Sequence, residues 1–319
     1  MEVDARQGST SSTRIIVNVS GAQISGRQGV AAAEARMDTP LVVAIHGGSY
    51  TSAYFDVVGH SLLQRAAAVG FRAIALDRPG YGESTPLPTG EETIARNAQR
   101  LDAAVGEVWS EFGQGAAGIV LVGHSIGGAI AIAMAALGPS WPLMGIAVSG
   151  VGLMLPPQVG GLYATAPDAL ISVPPEAKDS MLFGPKWTHG EDMPAASHVA
   201  DSPVPRRELQ DIFETWPHNV RELAAKVAVP VHYRQGEWDA LWVVDARQID
   251  DFSAAFSGSP EVDAALVRST GHCIDFHRLG LSFHLEQLSF ASRCMVSPRL
   301  SAGQSVSRCA SSAKRKLAT

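Results

Sequence analysis

The sequence predicts an α/β fold: a mainly parallel β-sheet with helices on both faces, plus a helical cap insertion. Three observations carry that expectation. Compact apolar runs such as Leu41-Val42-Val43-Ala44-Ile45 have no polar face, which suits a strand buried on both sides of a parallel sheet. These runs alternate with stretches whose apolar residues recur at helical spacing. The alternation stops over residues 154–226, a stretch crowded with proline, and then resumes.

The elements follow in order. Residues 15–24 are β-branched around a central Ser-Gly and predict one or two strands with a turn. After the strand at 41–45 comes a helix over about 57–69 and a second buried strand over 71–76. Ile94, Ala98, Leu101, Val105, Val108 and Phe112 line one face of a helix within residues 92–112. A third strand, 119–122, runs into Gly123-His124-Ser125-Ile126-Gly127-Gly128, and an Ala-rich helix follows over 129–137. A fourth strand covers 145–149. Short helical pieces at 207–215 and 220–226 mark the insertion as helices and loops rather than sheet. A strand at 231–234, a helix at 243–256, a strand at 264–268 and a helix at 279–292 complete the pattern. The expected organisation is a core in two parts, 13–153 and 227–292, an insertion over 154–226, and a disordered basic tail over 293–319. That tail has six Lys or Arg and no Asp or Glu.

Composition narrows the classes of function. Of 319 residues, 46% are hydrophobic, enough for a sizeable core. The formal net charge of −6 gives no basic field for nucleic acid or anionic lipid. Apolar stretches are too short to span a bilayer, and the opening residues have no apolar signal-like run. Three scattered cysteines suit a reducing compartment, so a soluble cytoplasmic protein is expected. No Cys-x-x-Cys, His-Glu-x-x-His or Asp/His cluster suggests a metal, and no organic cofactor is called for.

The chemistry centres on Ser125. A serine hydroxyl is a poor nucleophile without a base in reach, and the base needs a partner that fixes its tautomer. Gly123-His124-Ser125-Ile126-Gly127 lies between a buried strand and an Ala-rich helix. A turn that tight crowds the serine backbone, and the flanking glycines relieve the crowding. With 31 glycines in the chain, the motif alone is weak evidence; its strand-turn-helix setting is what singles it out.

Together with His46-Gly47-Gly48 and Asp77-Arg78-Pro79-Gly80-Tyr81-Gly82-Glu83-Ser84, this motif resembles the α/β-hydrolase superfamily over about residues 13–290. Residues 46–56 are also similar to hydrolases of fungal secondary-metabolite pathways. The resemblance implies a serine hydrolase with the triad in the order Ser125, Asp239, His272. Asp239 follows the strand after the insertion, in Gln235-Gly236-Glu237-Trp238-Asp239, and is favoured over Glu237. His272 follows the last strand, in Ser269-Thr270-Gly271-His272. The resemblance also implies an oxyanion hole from the backbone N–H groups of Ile126 and Gly48, with Ser49 as the competing donor.

Other reactive-looking residues are assigned structural roles. His124 packs or lines the pocket, His277 and His284 belong with the last helix, and Cys273 is a small packed residue. Asp77 holds the loop near the site floor. Apolar residues of 153–216, among them Met181, Leu182, Phe213 and Trp216, either line a substrate channel or form the insertion's own core. The expected reaction is cleavage of an ester, thioester or lactone of a small, apolar substrate by a carboxylic ester hydrolase. The alternatives are a C–C bond hydrolase on the same triad or a catalytically silent binding protein.

Overall fold

The computed structural model describes residues 12–30, 38–159 and 169–296. Two strands form from the first β-branched stretch: β1 (Ser12–Val19) and β2 (Ala22–Gly29) make an antiparallel hairpin. Ser20 and Gly21 close it with φ of 49° and 81°, the hand that suits a two-residue hairpin turn. β3 (Leu41–Ile45), α1 (Leu62–Ala68), β4 (Ala73–Leu76), α2 (Ile94–Phe112) and β5 (Ile119–His124) follow. Next come α3 (Ile126–Leu137) and β6 (Leu143–Ser149). The proline-rich stretch contributes β7 (Leu170–Ile171), α4 (Pro175–Leu182), β8 (Val204–Pro205), α5 (Arg206–Gln210) and α6 (Trp216–Ala225). The chain returns to the sheet with β9 (Val231–Gly236), α7 (Ala246–Ala255), β10 (Val262–Val267) and α8 (Gly280–Arg293).

Eight strands form one sheet in the order β1-β2-β4-β3-β5-β6-β9-β10. The pairs from β4 through β10 are parallel, and the hairpin joins antiparallel through β2. Strand alternation divides the core into two layers. Val43, Ile45, Leu121, Ile146 and Val148 pack with α2, α3, α6 and α7 on one face. Val42, Ala44, Ala75, Val122 and Ala147 pack with α1 and α8 on the other. α3 is buried from Ile126 through Ala135, because it lies against the sheet with α2 and α6 over it.

Local chemistry explains where the elements depart from the sequence expectation. The helix expected from 57 starts at Leu62, because Ser61 caps it and its Oγ accepts from Gln64 N at 2.9 Å. Asp245 does the same for α7, 2.7 Å from Gln248 N. α3 starts at Ile126 rather than 129, with Gly127 and Gly128 in its first turn. The expectation of no sheet within 154–226 is corrected by the β7–β8 ladder, which joins Leu170 to Pro205 and Ile171 to Val204. Two-residue strands are too short to show an alternating pattern. The two helical pieces expected at 207–226 form a nearly continuous run through a π turn at Asp211–Thr215. Pro217 has no amide to donate, and the widened turn before it absorbs the missing bond. The tail beyond residue 296, the first 11 residues, and Leu162 and Tyr163 lie outside the described residues. No described helix is long and apolar enough to cross a membrane.

One of the close backbone approaches in this fold is at Gly127. A Cβ there would lie 2.1 Å from the Ile45 carbonyl oxygen and 2.5 Å from that of His46. Gly127→Ala is expected to lower the unfolding free energy by about 3 kcal/mol or more in urea denaturation. Gly138→Ala, at the end of the same helix with φ 69° and open space around it, is expected to lose about 1 kcal/mol.

Candidate active site

The parallel strands bring their carboxyl ends to one edge of the sheet. There β5 turns into α3 through Ser125, whose backbone is strained at φ 56°, ψ −124°. Ser125 N donates to Ser149 O at 2.8 Å, and Ser125 O accepts from Gly128 N and Ala129 N. Glycine is required on either side: a Cβ on Gly123 would meet Gly127 O at 2.5 Å. The Ser125 side chain does not cap α3. It lines a cavity of about 60 Å³ instead, at the positive end of a helix.

His272 lines the same cavity. Its Nδ1 donates to Asp239 Oδ2 at 2.7 Å, and both side chains are almost wholly buried. Asp239 accepts two further bonds, from Gln235 Nε2 at 2.6 Å and from Leu241 N at 2.9 Å. Tyr233 Oη in turn donates to Gln235 Oε1 at 3.1 Å, which orients the amide. Glu237, the rival acid, accepts from Ser269 N at 2.8 Å and braces the turn after β10. The histidine loop is held from the insertion side. Cys273 N donates to Leu182 O, and a Cβ on Gly271 would meet that same oxygen at 2.7 Å.

Gly48, Ser49 and Ile126 line the cavity with Ser125 and His272. The loop after β3 packs tightly on the serine turn: a Cβ on Gly47 would sit 2.9 Å from Ser125 Cβ. The insertion grips this loop. Thr51 N donates to Ala200 O at 2.8 Å, and Ser202 N donates to Ser49 O at 3.0 Å. Lys178 of α4 also donates to Ser49 O at 3.0 Å, pairs with Asp201, and sits 3.4 Å from the centre of the Tyr50 ring. Burial lowers the Lys178 pKa against the pull of Asp201.

The histidines assigned to packing have defined partners. His124 stacks on Tyr54 with ring centres 4.8 Å apart and lies 4.8 Å from the His272 ring. Burial, then the nearby His272, drives its pKa down to about 3. His284 Nε2 donates to Asp275 Oδ1 at 2.8 Å, and Arg65 donates to its Nδ1 at 2.8 Å. Although burial opposes the charge on Asp275, hydrogen bonds from His284 and Tyr54 hold its carboxyl at about 2. His277 Nε2 lies 2.8 Å from Gly271 N. Burial pushes the Cys273 thiol far above its usual pKa. Asp77 accepts from Ser52 N and Ser25 Oγ, both at 2.7 Å, and so holds two loops together.

Apolar side chains make most of the cavity wall. Met181, Leu182 and Phe213 are there, as one reading of the sequence has it. Trp216 instead donates to Gly152 O at 3.0 Å within the core, Phe183 packs with Phe276, and Trp187 faces solvent. Sequence reasoning missed Val204, Leu209, Ile212, Leu241 and Trp242 as lining residues. Among the described residues, no group of three or more His, Cys, Asp or Glu is arranged to hold a metal ion.

Comparison with known proteins gives a consistent picture of the fold. The family described as "Alpha/beta hydrolase family" matches residues 42–280. Protein phosphatase methylesterase 1 of Pongo abelii is 29% identical over 137 residues, 42% of this chain and 31% of the relative. The match therefore spans less than a third of that relative's length. A thermophilic esterase from Thermogutta terrifontis has a similar structure, with TM-score 0.63 at 17% identity, covering 89% of this chain and 99% of the esterase. E-2-(acetamidomethylene)succinate hydrolase superposes with TM-score 0.63 at 16% identity, covering 86% and 98%. At these identities the structural likeness is one of fold.

The burial of His124 sets an acid limit on stability. Between pH 6.5 and 3 the unfolded chain binds a proton at this residue and the folded chain does not. Lowering the pH through that window therefore favours unfolding, by up to about 1.4 kcal/mol per pH unit from this group. Urea unfolding between pH 7 and 4 is expected to show a shallower loss of stability in His124→Gln than in the wild type.

Proposed function

The chain belongs to the alpha/beta hydrolase family, and from that membership we propose that it is a serine hydrolase cleaving an ester, thioester or lactone of a small, apolar substrate. The reading rests above all on one observation. The histidine bonded to Asp239 at 2.7 Å lines the same cavity as a serine held at a strained strand-to-helix turn. The composition of the cavity wall supports an apolar substrate. The methylesterase and the esterase among the similar proteins are named for ester cleavage, which agrees with this reading.

In the proposed mechanism, Ser125 Oγ attacks the carbonyl carbon as His272 Nε2 takes its proton. Asp239, fixed by three donors, keeps Nδ1–H in place and stabilises the imidazolium. The N–H groups of Gly48 and Ile126 receive the negative charge that develops on the carbonyl oxygen. His272 returns the proton to the leaving alcohol, thiol or ring oxygen as the tetrahedral adduct collapses to an acyl-enzyme. Water then attacks the acyl carbon, giving its proton to His272, and the acid is released as that proton goes back to Ser125. The stretch from β7 to α6, which supplies Val173, Lys178, Met181, Val204 and Leu209 to the wall, acts as a cap over the acyl group.

Purified variants assayed with p-nitrophenyl esters test this reading. Ser125→Ala and His272→Ala are expected to lose turnover, and Asp239→Asn to lose roughly 10⁴-fold in kcat, with melting temperatures near the wild type. Hexanoate is expected to exceed palmitate in kcat/KM, because the cavity is small. Turnover retained by folded Ser125→Ala would overturn the serine mechanism.

A further inference from the structure

Arg78 is wholly buried and takes no part in the proposed proton transfers. It lies just beyond β4, and its Nη2 donates to the Gly47 carbonyl oxygen at 3.0 Å. The same oxygen accepts from His46 Nδ1 at 2.8 Å. His46 is set up for this by its other ring nitrogen, since Nε2 accepts from Arg78 N at 3.0 Å. Burial and the Arg78 charge keep His46 well below its usual pKa, so it remains neutral with its proton on Nδ1. One carbonyl oxygen thus has both lone pairs engaged, one of them by a cation.

That carbonyl belongs to the peptide unit whose other end is the Gly48 N–H. A trans peptide is planar, and its N–H points opposite to its C=O. Fixing the Gly47 oxygen therefore fixes the direction of the Gly48 N–H. Gly48 has no side chain to restrain the loop, and the following residue, Ser49, sits at a strained φ of 58°. A free loop of this composition has other orientations open to it. A hydrogen bond from a cation to the carbonyl also polarises the peptide, which makes its N–H a stronger donor.

The cation is anchored by the insertion. Arg78 Nη1 lies 2.8 Å from Glu208 Oε1, with both side chains buried. Tyr81 Oη donates to Glu208 Oε2 at 2.8 Å, and the guanidinium lies 4.4 Å over the Tyr81 ring. Glu208 lies in the first turn of the helical run that also sends Leu209, Ile212 and Phe213 into the cavity wall. A buried ion pair is poor evidence of stabilisation in its own right, because desolvation offsets the attraction. Its geometric consequence is specific here: it ties the cap to the peptide beside the reacting carbonyl.

We propose that Arg78 is a positioning residue for the oxyanion hole: held by Glu208, its guanidinium locks the Gly47 carbonyl and aims the Gly48 N–H at the substrate oxygen. This rests on the serine mechanism proposed above. An oxyanion donor acts on the transition state more than on the bound ester, so its misalignment lowers kcat and leaves KM largely in place.

The test compares the full-length wild type with Arg78→Met/Glu208→Gln, which removes both charges together, and with Arg78→Lys, which keeps a charge opposite Glu208 but loses the planar fork. Sites are counted by titration with a fluorophosphonate, so that only folded, reactive enzyme enters kcat. An alkyl trifluoromethyl ketone, which forms an oxyanion adduct with a reactive serine, reports the hole directly. The double variant is expected to lose roughly 30-fold in kcat, less than the loss on removing a donor outright, with KM within about threefold. Its Ki for the ketone is expected to rise by the same factor as kcat falls. Arg78→Lys is expected to lie between the two on the same line, and serves if the double variant does not fold. A titratable variant with unchanged kcat and Ki, or with reduced kcat and unchanged Ki, overturns the role of Arg78. Wild-type turnover that survives Ser125→Ala overturns the serine mechanism, and this proposal with it.

Discussion

The constraint on which the rest of the site depends is the turn at Ser125. A residue with a side chain is held at positive φ there, in a region that costs about 1–3 kcal/mol to occupy. The turn persists because the backbones of β3, β5 and the first turn of α3 approach closely where Gly123 and Gly127 carry no Cβ. Close packing of that buried helix holds the serine at the carboxyl edge of the sheet. The loop after β3 and the turns after β9 and β10 then meet it from other strand ends along the same edge. The hydroxyl needs no adjustment of its own to face the cavity, since it is not used as a cap.

Much of this was legible in the sequence, for a physical reason. Strands buried on both faces are continuous apolar runs, and the strands at 41–45 and 119–122 stand out for that reason. Glycines forced by backbone contact also leave a mark, as the flanks of Ser125 do. The resemblance to α/β-hydrolases pointed to Asp239 and His272, and the structure places those two side chains in hydrogen-bond contact. The β7–β8 ladder and the π turn before Pro217 were illegible, because neither has a periodic signal. The cavity wall was legible only in part. Whether an apolar side chain such as Phe213 or Trp216 faces a cavity or a core depends on the path of the insertion, which composition does not encode.

The charged pairs around the site were the least visible feature. Arg78 stood within the Asp77–Ser84 motif, but nothing in the sequence linked it to Glu208, 130 residues on, or linked Lys178 to Asp201. In the fold, Arg78 pairs with Glu208 across the boundary between the first part of the sheet and the 154–226 stretch, while Lys178 pairs with Asp201 within that stretch. Both pairs include a cation bonded to a carbonyl of the loop after β3, at Ser49 and at Gly47. The 154–226 stretch therefore does more than line the cavity. It is tied to the loop after β3 that lines the cavity beside Ser125.

The central claim is that a single serine at this turn becomes nucleophilic because an imidazole oriented by a carboxylate adjoins it. Reaction with a fluorophosphonate followed by mass-spectrometric mapping tests it most directly. The account predicts one covalent adduct, on Ser125, that is lost when His272 is replaced by alanine. Ester turnover by enzyme whose Ser125 stays unmodified under excess probe, or an adduct on a different residue that abolishes turnover, would contradict it.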